Sequence, residues 1–187
     1  MAKKYVVAID PGSVESGVIL VRSEDCFPIA FTKMPNVGIF DFIYQDLMGL
    51  VDKEEINCFL GSDDVHIVIE KFQSYGMQVG QTTMNAIWWA GRFYEWALCC
   101  GLSVSQVFRK DVKMDLCGVM RAKDKNIKAA LIERFATGQS NYGKGNKKNP
   151  GWFYGFKADI WSAYAVAVTL VDIWKGDSNG SEEDQSY

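Results

Sequence analysis

Three acidic residues of this 187-residue chain occupy positions where carboxylates could act together. Asp10 directly follows the apolar run 5–9, Glu70 directly follows the apolar run 66–69, and Asp159 opens an apolar helical pattern. Catalytic and ligand-binding residues of α/β sheets lie mainly at the carboxyl ends of the strands. The helix of Asp159 can place its first turn over that edge of the sheet. Like charges so close repel, and Mg²⁺ or Mn²⁺, which prefer oxygen ligands, would relieve the repulsion. Two such ions about 4 Å apart can activate a water and stabilise the leaving oxygen of a phosphodiester.

The elements that would position these carboxylates follow an α/β pattern. We expect strands at 5–9, 17–21, 28–33, 66–69 and 103–108. We expect helices at 41–51, 78–100, 112–117, 124–135 and 158–174, and a loop at 137–156. The first two strands form a hairpin with Asp10 at its tip, and the first, fourth and fifth strands can lie parallel.

The composition indicates a globular protein with one domain. Apolar residues make up 48% of the chain and charged residues 23%. No run approaches the roughly 18 apolar residues of a membrane span, and the N-terminus does not read as a signal peptide. The 5 cysteines are scattered and lack zinc-ligand spacing, which favours a reducing cytoplasm. We expect a single domain at 1–175 and a disordered acidic tail at 176–187.

The net charge of -3, taken alone, disfavours nucleic acid as a partner, but the charge is unevenly distributed. Residues 105–160 hold 12 lysines and arginines against 5 acidic residues, so that this segment carries +7. The rest of the chain carries -10. The segment contains a lysine cluster at 144–148 that precedes Asp159, and it predicts a surface that faces phosphate.

An ordered series of short motifs resembles the RuvC-type Holliday junction resolvases. The motifs are Ile9-Asp10-Pro11-Gly12-Ser13 with Gly17, then Ile69-Glu70-Lys71, then Asp111-Val112-Lys113 through Gly118, then Ala122-Lys123-Asp124-Lys125. The resemblance implies an RNase H-like α/β fold with a mixed five-stranded sheet flanked by helices. It also implies two Mg²⁺ or Mn²⁺ ions, a homodimer and paired nicks in a four-way DNA junction. The loop at 151–157 resembles phage-encoded relatives, which would place the protein in the host cytoplasm.

The resemblance assigns roles to five residues. Asp10 would bridge both metal ions, Glu70 would hold one of them, and Asp159 would complete the set of ligands. Lys113 and Lys125 match lysines that lie beside the scissile phosphate, where cations offset developing negative charge.

The last helix departs from the family pattern, because Ser162 stands where a second acid is expected. Either Asp159 alone completes a three-carboxylate site, or the site is impaired. A second alignment, less favoured because it sets Ile160 where the family has a small residue, would place Phe156 at the first acidic position and Asp159 at the second.

Basic and aromatic residues near the carboxylates are predicted to contact DNA. Phe72 and Tyr75 follow Glu70, where resolvases wedge an aromatic ring into the junction. The other predicted contacts are Arg109, Lys110, Arg121, Lys123, Lys144, Lys147, Lys148, Trp152 and Lys157. The helix at 78–100 carries aromatic residues on more than one face, which predicts a homodimer through this helix.

Three other functions remain open for this sequence. The same fold could cleave RNA-DNA hybrids, because carboxylate geometry does not set the substrate. Ser162 makes a non-catalytic junction-binding protein a second possibility. The strand that ends in Asp-x-Gly also resembles actin-like ATPases and sugar kinases, but those folds pair two such domains.

Overall fold

A mixed sheet of five strands forms the centre of the fold. The computed structural model describes residues 3–47, 64–74, 76 and 78–183. The strands are β1 (Tyr5–Asp10), β2 (Glu15–Arg22), β3 (Pro28–Pro35), β4 (Val65–Lys71) and β5 (Ser103–Phe108). Their order in the sheet is β3-β2-β1-β4-β5. β1 is antiparallel to β2 and parallel to β4, β2 is antiparallel to β3, and β4 is parallel to β5, which confirms the predicted mixed sheet.

Helices cover both faces of the sheet. They are α1 (Asn36–Asp41), α2 (Gln81–Cys99), α3 (Arg109–Cys117), α4 (Asp124–Ala136) and α5 (Ala158–Glu183), and α1 continues into a π-helical segment at Phe42–Leu47. One core lies between the sheet and α3, α4 and α5, and the other lies between the sheet and α1 and α2. Because both faces of β1 and β4 are covered, these strands are apolar along almost their whole length.

The alternation of side chains along the strands decides which face carries the carboxylates. Val6 and Ala8 of β1 and Val68 of β4 belong to the core under α5. Asp10 and Glu70 share the parity of these residues, so both project on the α5 side of the sheet. Because α5 begins at Ala158, Asp159 approaches from the same side.

Helix α1 begins earlier than the predicted helix at 41–51, because Asn36 ties its start to the loop after β1. The Asn36 side chain donates to the Gly12 carbonyl oxygen over 3.0 Å and accepts from the Ser16 hydroxyl over 2.6 Å. The Ser16 hydroxyl in turn accepts from the Gly12 amide over 3.1 Å. Ser16 and Asn36 are both buried, so this closed triangle fixes the loop that follows Asp10. Residues 48–51 of the predicted helix lie outside the described part of the chain.

Helix α5 extends beyond the predicted end at Trp174 and continues through Glu183. It therefore enters the segment 176–187 that was predicted to be a disordered tail, and the backbone of residues 176–183 is helical. The division of the chain into a domain and a tail stays a prediction. No helix in the described ranges combines the length and the apolar character that a membrane crossing requires.

Candidate active site

Asp10 and Glu70 lie side by side at the ends of two neighbouring parallel strands. The register pairs Ile9 with Ile69, which brings the following residues to the same edge of the sheet. Burial is the largest cause that raises the pKa of Asp10 to about 8. The negative charge and hydrogen bond of Glu70 act in the same direction, and the charge of Arg109 acts against them. Without a cation beside it, the Asp10 carboxyl therefore keeps its proton well above its ordinary pKa.

The Asp159 carboxylate faces a lysine that the sequence did not single out. Lys33 of β3 places its Nζ 2.6 Å from Oδ2 of Asp159 and 3.4 Å from Oε2 of Glu15. Lys33 lies opposite Gly17 in the sheet, and Gly17 lies opposite Asp10. Asp159 is close enough to Asp10 for its charge to raise the pKa of Asp10, but its carboxylate is engaged by Lys33.

The donor set at this edge fits a hard divalent cation through Asp10 and Glu70. Both side chains offer only oxygen ligands, and their mutual repulsion is what a cation removes. Within the described residues, no three His, Cys, Asp or Glu side chains are grouped closely enough to hold a metal ion. The Asp159 carboxylate is paired with Lys33 instead, and Ser162 offers a hydroxyl, which is a weaker ligand than a carboxylate.

Arg109 contacts the carboxylate pair from the side of β5. Its guanidinium lies 3.3 Å from Oε1 of Glu70 and 2.6 Å from Oδ1 of Asp124. It was predicted as a DNA contact, and the structure gives it two acidic partners within the protein. Because α3 begins at Arg109, directly after β5, the position of this charge is fixed by the end of a strand of the sheet.

Two connected clefts surround the carboxylates. The first cleft, about 1200 Å³, contains Asp10 and Glu70, and α2 forms one wall of it through Ala86, Ile87 and Ala90. The predicted DNA and catalytic residues that line it are Phe72, Arg109, Lys110, Lys113 and Arg121. The second cleft, about 450 Å³, contains Asp159 and is lined by the predicted residues Lys125, Lys144 and Lys157. Arg109 and Ser162 line both clefts, so the two form one track.

Three of the predicted DNA contacts, Lys123, Lys147 and Lys148, line neither cleft. All three are exposed at the surface. Tyr75 lies outside the described residues. Phe72 is 46% exposed beside Glu70, which leaves its ring available to a ligand.

Trp152 packs against the protein, although it was predicted to contact DNA. Its ring stacks on Phe135 at 5.3 Å between centroids, and its indole Nε1 donates to the Tyr164 hydroxyl over 2.9 Å. Its neighbour Phe153 is fully buried, so the aromatic cluster of this loop anchors the loop to the core. The exposed ring of the cluster is Tyr154.

Comparison with known proteins finds similarity at the level of structure. No protein-family model and no curated protein matches the sequence. A structure of Thermus thermophilus RuvC matches with a TM-score of 0.60 and 16% sequence identity, over 92% of this chain and 96% of that chain. A structure of T. thermophilus RuvC in complex with a Holliday junction substrate matches with a TM-score of 0.58 and 14% identity, over the same shares. The chain has the RuvC fold.

Gly17 allows the last helix of this RuvC fold to reach the sheet. A Cβ atom at position 17 would lie 2.7 Å from the carbonyl oxygen of Asp159 and 3.1 Å from its Cβ. We expect Gly17→Ala to push the first turn of α5 away and to lower the free energy of unfolding by about 1–3 kcal/mol. Denaturant unfolding measures this loss.

Gly176→Ala is the matched control, because it lies in the same helix and an added Cβ there meets nothing within 4 Å. This variant should keep the wild-type stability or exceed it. Equal stability of the Gly17→Ala variant and the wild type would contradict the close approach.

Proposed function

We propose that this protein is a metal-dependent endonuclease that cleaves branched DNA, with the four-way junction as its substrate. The observation that carries the proposal is the position of Asp10 and Glu70 inside a cleft lined by lysine and arginine side chains. Five basic side chains line the first cleft together with the carboxylate pair, those of Lys71, Arg109, Lys110, Lys113 and Arg121. A cleft that combines cations and paired carboxylates suits a phosphodiester with a divalent ion beside it.

Asp10 and Glu70 would hold a Mg²⁺ or Mn²⁺ ion between their carboxylates. When bound, such an ion supplies an activated water and charge stabilisation for the leaving oxygen. Arg109 keeps Glu70 oriented through the 3.3 Å ion pair. The Gly12–Ser16–Asn36 triangle keeps the loop after Asp10 in one conformation.

Lysines in both clefts would receive the DNA backbone. Lys113 lines the first cleft with Asp10, and Lys125 lines the second with Asp159. Each ammonium would offset negative charge that develops on the phosphate. Phe72, at the edge of the first cleft, offers an exposed ring for stacking on a base at the branch point.

The resemblance to RuvC-type resolvases implies a second ion, which would require Asp159 and Ser162 as ligands. The 2.6 Å ion pair between Asp159 and Lys33 competes with this arrangement. This pair, together with the serine at position 162, supports a second candidate function, a branched-DNA-binding protein with weak or absent nicking.

The test is incubation of the wild-type protein with a synthetic four-way junction, a linear duplex and an RNA-DNA hybrid, with Mg²⁺ and with Mn²⁺. The proposal expects paired nicks in the junction and little cleavage of the linear duplex. Cleavage of the hybrid alone would contradict the choice of substrate. Junction binding without nicking, with nicking gained by Ser162→Asp, would support the second candidate.

Helix α2 carries an apolar strip that fits the predicted homodimer. Met84, Ile87, Trp88 and Leu98 are exposed, and Trp88 has 59% of its surface open. We expect Trp88→Glu to convert a dimer into a monomer at micromolar concentration, because a buried unpaired charge opposes association. Sedimentation velocity measures the change. Val37→Glu, at another exposed apolar position, is the control, and a monomeric wild type would contradict the dimer.

A further inference from the structure

Tyr142 combines high exposure with an unfavourable backbone conformation. It lies in the short 3-10 segment Ser140–Gly143 after α4, and 75% of its surface is exposed. Its φ and ψ are 54° and 39°, and those of Asn141 are 52° and 45°. A bulky residue rarely adopts this left-handed conformation, and its ring gains little packing here in return. Local strain of this kind concentrates at ligand-binding sites.

The surroundings of Tyr142 impose this conformation. A Cβ at Gly143 would collide with Ala136, so the chain passes tightly over the end of α4. The Gly143 carbonyl oxygen accepts from the amide of the buried Phe153 over 2.8 Å. A β-bridge between Gly145 and Pro150 closes the loop on the far side. These contacts therefore fix the backbone that carries the Tyr142 side chain.

Tyr142 lines a groove that shares two lysines with the second cleft of the active-site track. The groove, about 470 Å³, is lined by Tyr142, Lys125, Lys128 and Glu133 among others. Lys125 and Lys128 also line the second cleft, which contains Asp159 and Lys144. A strand that leaves the second cleft through this groove would lie beside two ammonium groups and the phenol ring.

We propose that Tyr142 stacks on an unpaired base of the DNA strand that leaves the active site along this groove. The inference rests on the proposed function and adds to it a second point of contact, distant from Phe72 along the track. The positive charge of Lys125, Lys128 and Lys144 fits the phosphate backbone, and an exposed aromatic ring fits a base of any sequence.

The test measures the affinity of a fluorescently labelled four-way junction by anisotropy, without divalent metal. Tyr142→Ala should weaken binding by about tenfold, and Tyr142→Phe should keep the wild-type affinity. Tyr142→Gly should weaken binding to the same extent without lowering the melting temperature, because glycine adopts positive φ without strain. Tyr154→Ala, which removes an exposed ring from the same loop, should bind as the wild type does.

The salt dependence of binding separates stacking from phosphate contact. Tyr142→Ala should lower the affinity at every salt concentration and leave the slope of log K against log salt unchanged. Lys144→Met should reduce the slope by about 1. A 2-aminopurine in an unpaired stretch next to the branch should be quenched by the wild type and less quenched by Tyr142→Ala.

Two results would overturn the inference, and they differ. Wild-type affinity and quenching in the Tyr142→Ala variant would refute stacking and leave the proposed function in place. Failure of the wild-type protein to bind the junction would refute the proposed function and the inference with it.

Discussion

The Asp10→Asn variant should lose at least about 1,000-fold in the rate of junction nicking, which corresponds to about 4 kcal/mol of transition-state stabilisation. The asparagine side chain is nearly isosteric with aspartate but neutral, so the pair with Glu70 would no longer offer two negative charges to a cation. Binding of the junction should stay within about threefold of wild type, because the basic side chains that line the clefts are untouched. Single-turnover nicking and anisotropy with the same junction measure the two quantities.

Glu24→Gln is the control for this loss, because Glu24 is an exposed carboxylate in the turn between β2 and β3. It should nick at the wild-type rate. Nicking by the Asp10→Asn variant at a rate within about tenfold of wild type would mean that the chemistry does not depend on the Asp10 carboxylate.

The same substitution should stabilise the metal-free protein at neutral and alkaline pH. The folded-state pKa of Asp10, about 8, is raised above its ordinary value of 3.8, chiefly by burial. The stability contributed by such a group is greatest below pH 3.8 and is lost as the pH rises toward 8. Because asparagine does not ionise, the variant escapes this loss. In a chelating buffer we expect its melting temperature to exceed that of wild type by at least about 5 °C near pH 8.

The difference between variant and wild type is the quantity to follow from about pH 4 to about pH 9. His66 has the opposite pH dependence, since burial lowers its pKa to about 4 and stability is lost as the pH falls below 6.5. Both proteins contain His66, so its contribution cancels in the difference. The difference should be near zero at about pH 4, grow up to about pH 8 and then level off. A difference that does not change with pH would contradict the burial of an ionisable Asp10.

Addition of Mn²⁺ should reduce the difference in melting temperature between the Asp10→Asn variant and the wild type. A cation between the two carboxylates stabilises the wild type and finds a weaker site in the variant. The wild type would then gain stability at alkaline pH, and the variant would gain much less. The negative charge of Asp10 would thus explain both the lower stability of the metal-free wild type and the lost nicking activity of the variant.

The positions of Asp10 and Glu70 could be predicted from the sequence because both depend on local rules. An apolar run that ends in an acid places that acid at a strand end, and the parity of the strand decides its face. The strands themselves were predicted from the apolar runs, and the mixed sheet from the order of the elements and from the resemblance to the resolvase family. The ion pair of Lys33 with Asp159 could not be predicted, because it depends on the register of β3 against β2, which no local pattern reveals.

The loop at 137–156 shows where residue type alone is insufficient. Its aromatic residues looked alike in the sequence, yet Trp152 packs against Phe135 while Tyr142 stands exposed. What separates them is the path of the backbone, which turns on positive φ angles at Asn141, Tyr142 and Gly143. The glycines in this segment predict a loop, but they do not predict which aromatic ring of the loop is exposed.

The triangle formed by Gly12, Ser16 and Asn36 consists only of uncharged groups, and the two side chains in it are buried. Its hydrogen bonds therefore do not vary with ionic strength, and none of its members titrates in the physiological range. The carboxylates and their cationic partners respond to pH, salt and metal, while the loop that holds Asp10 does not. The charge state of the site can thus change over a wide range of conditions on a backbone that stays the same.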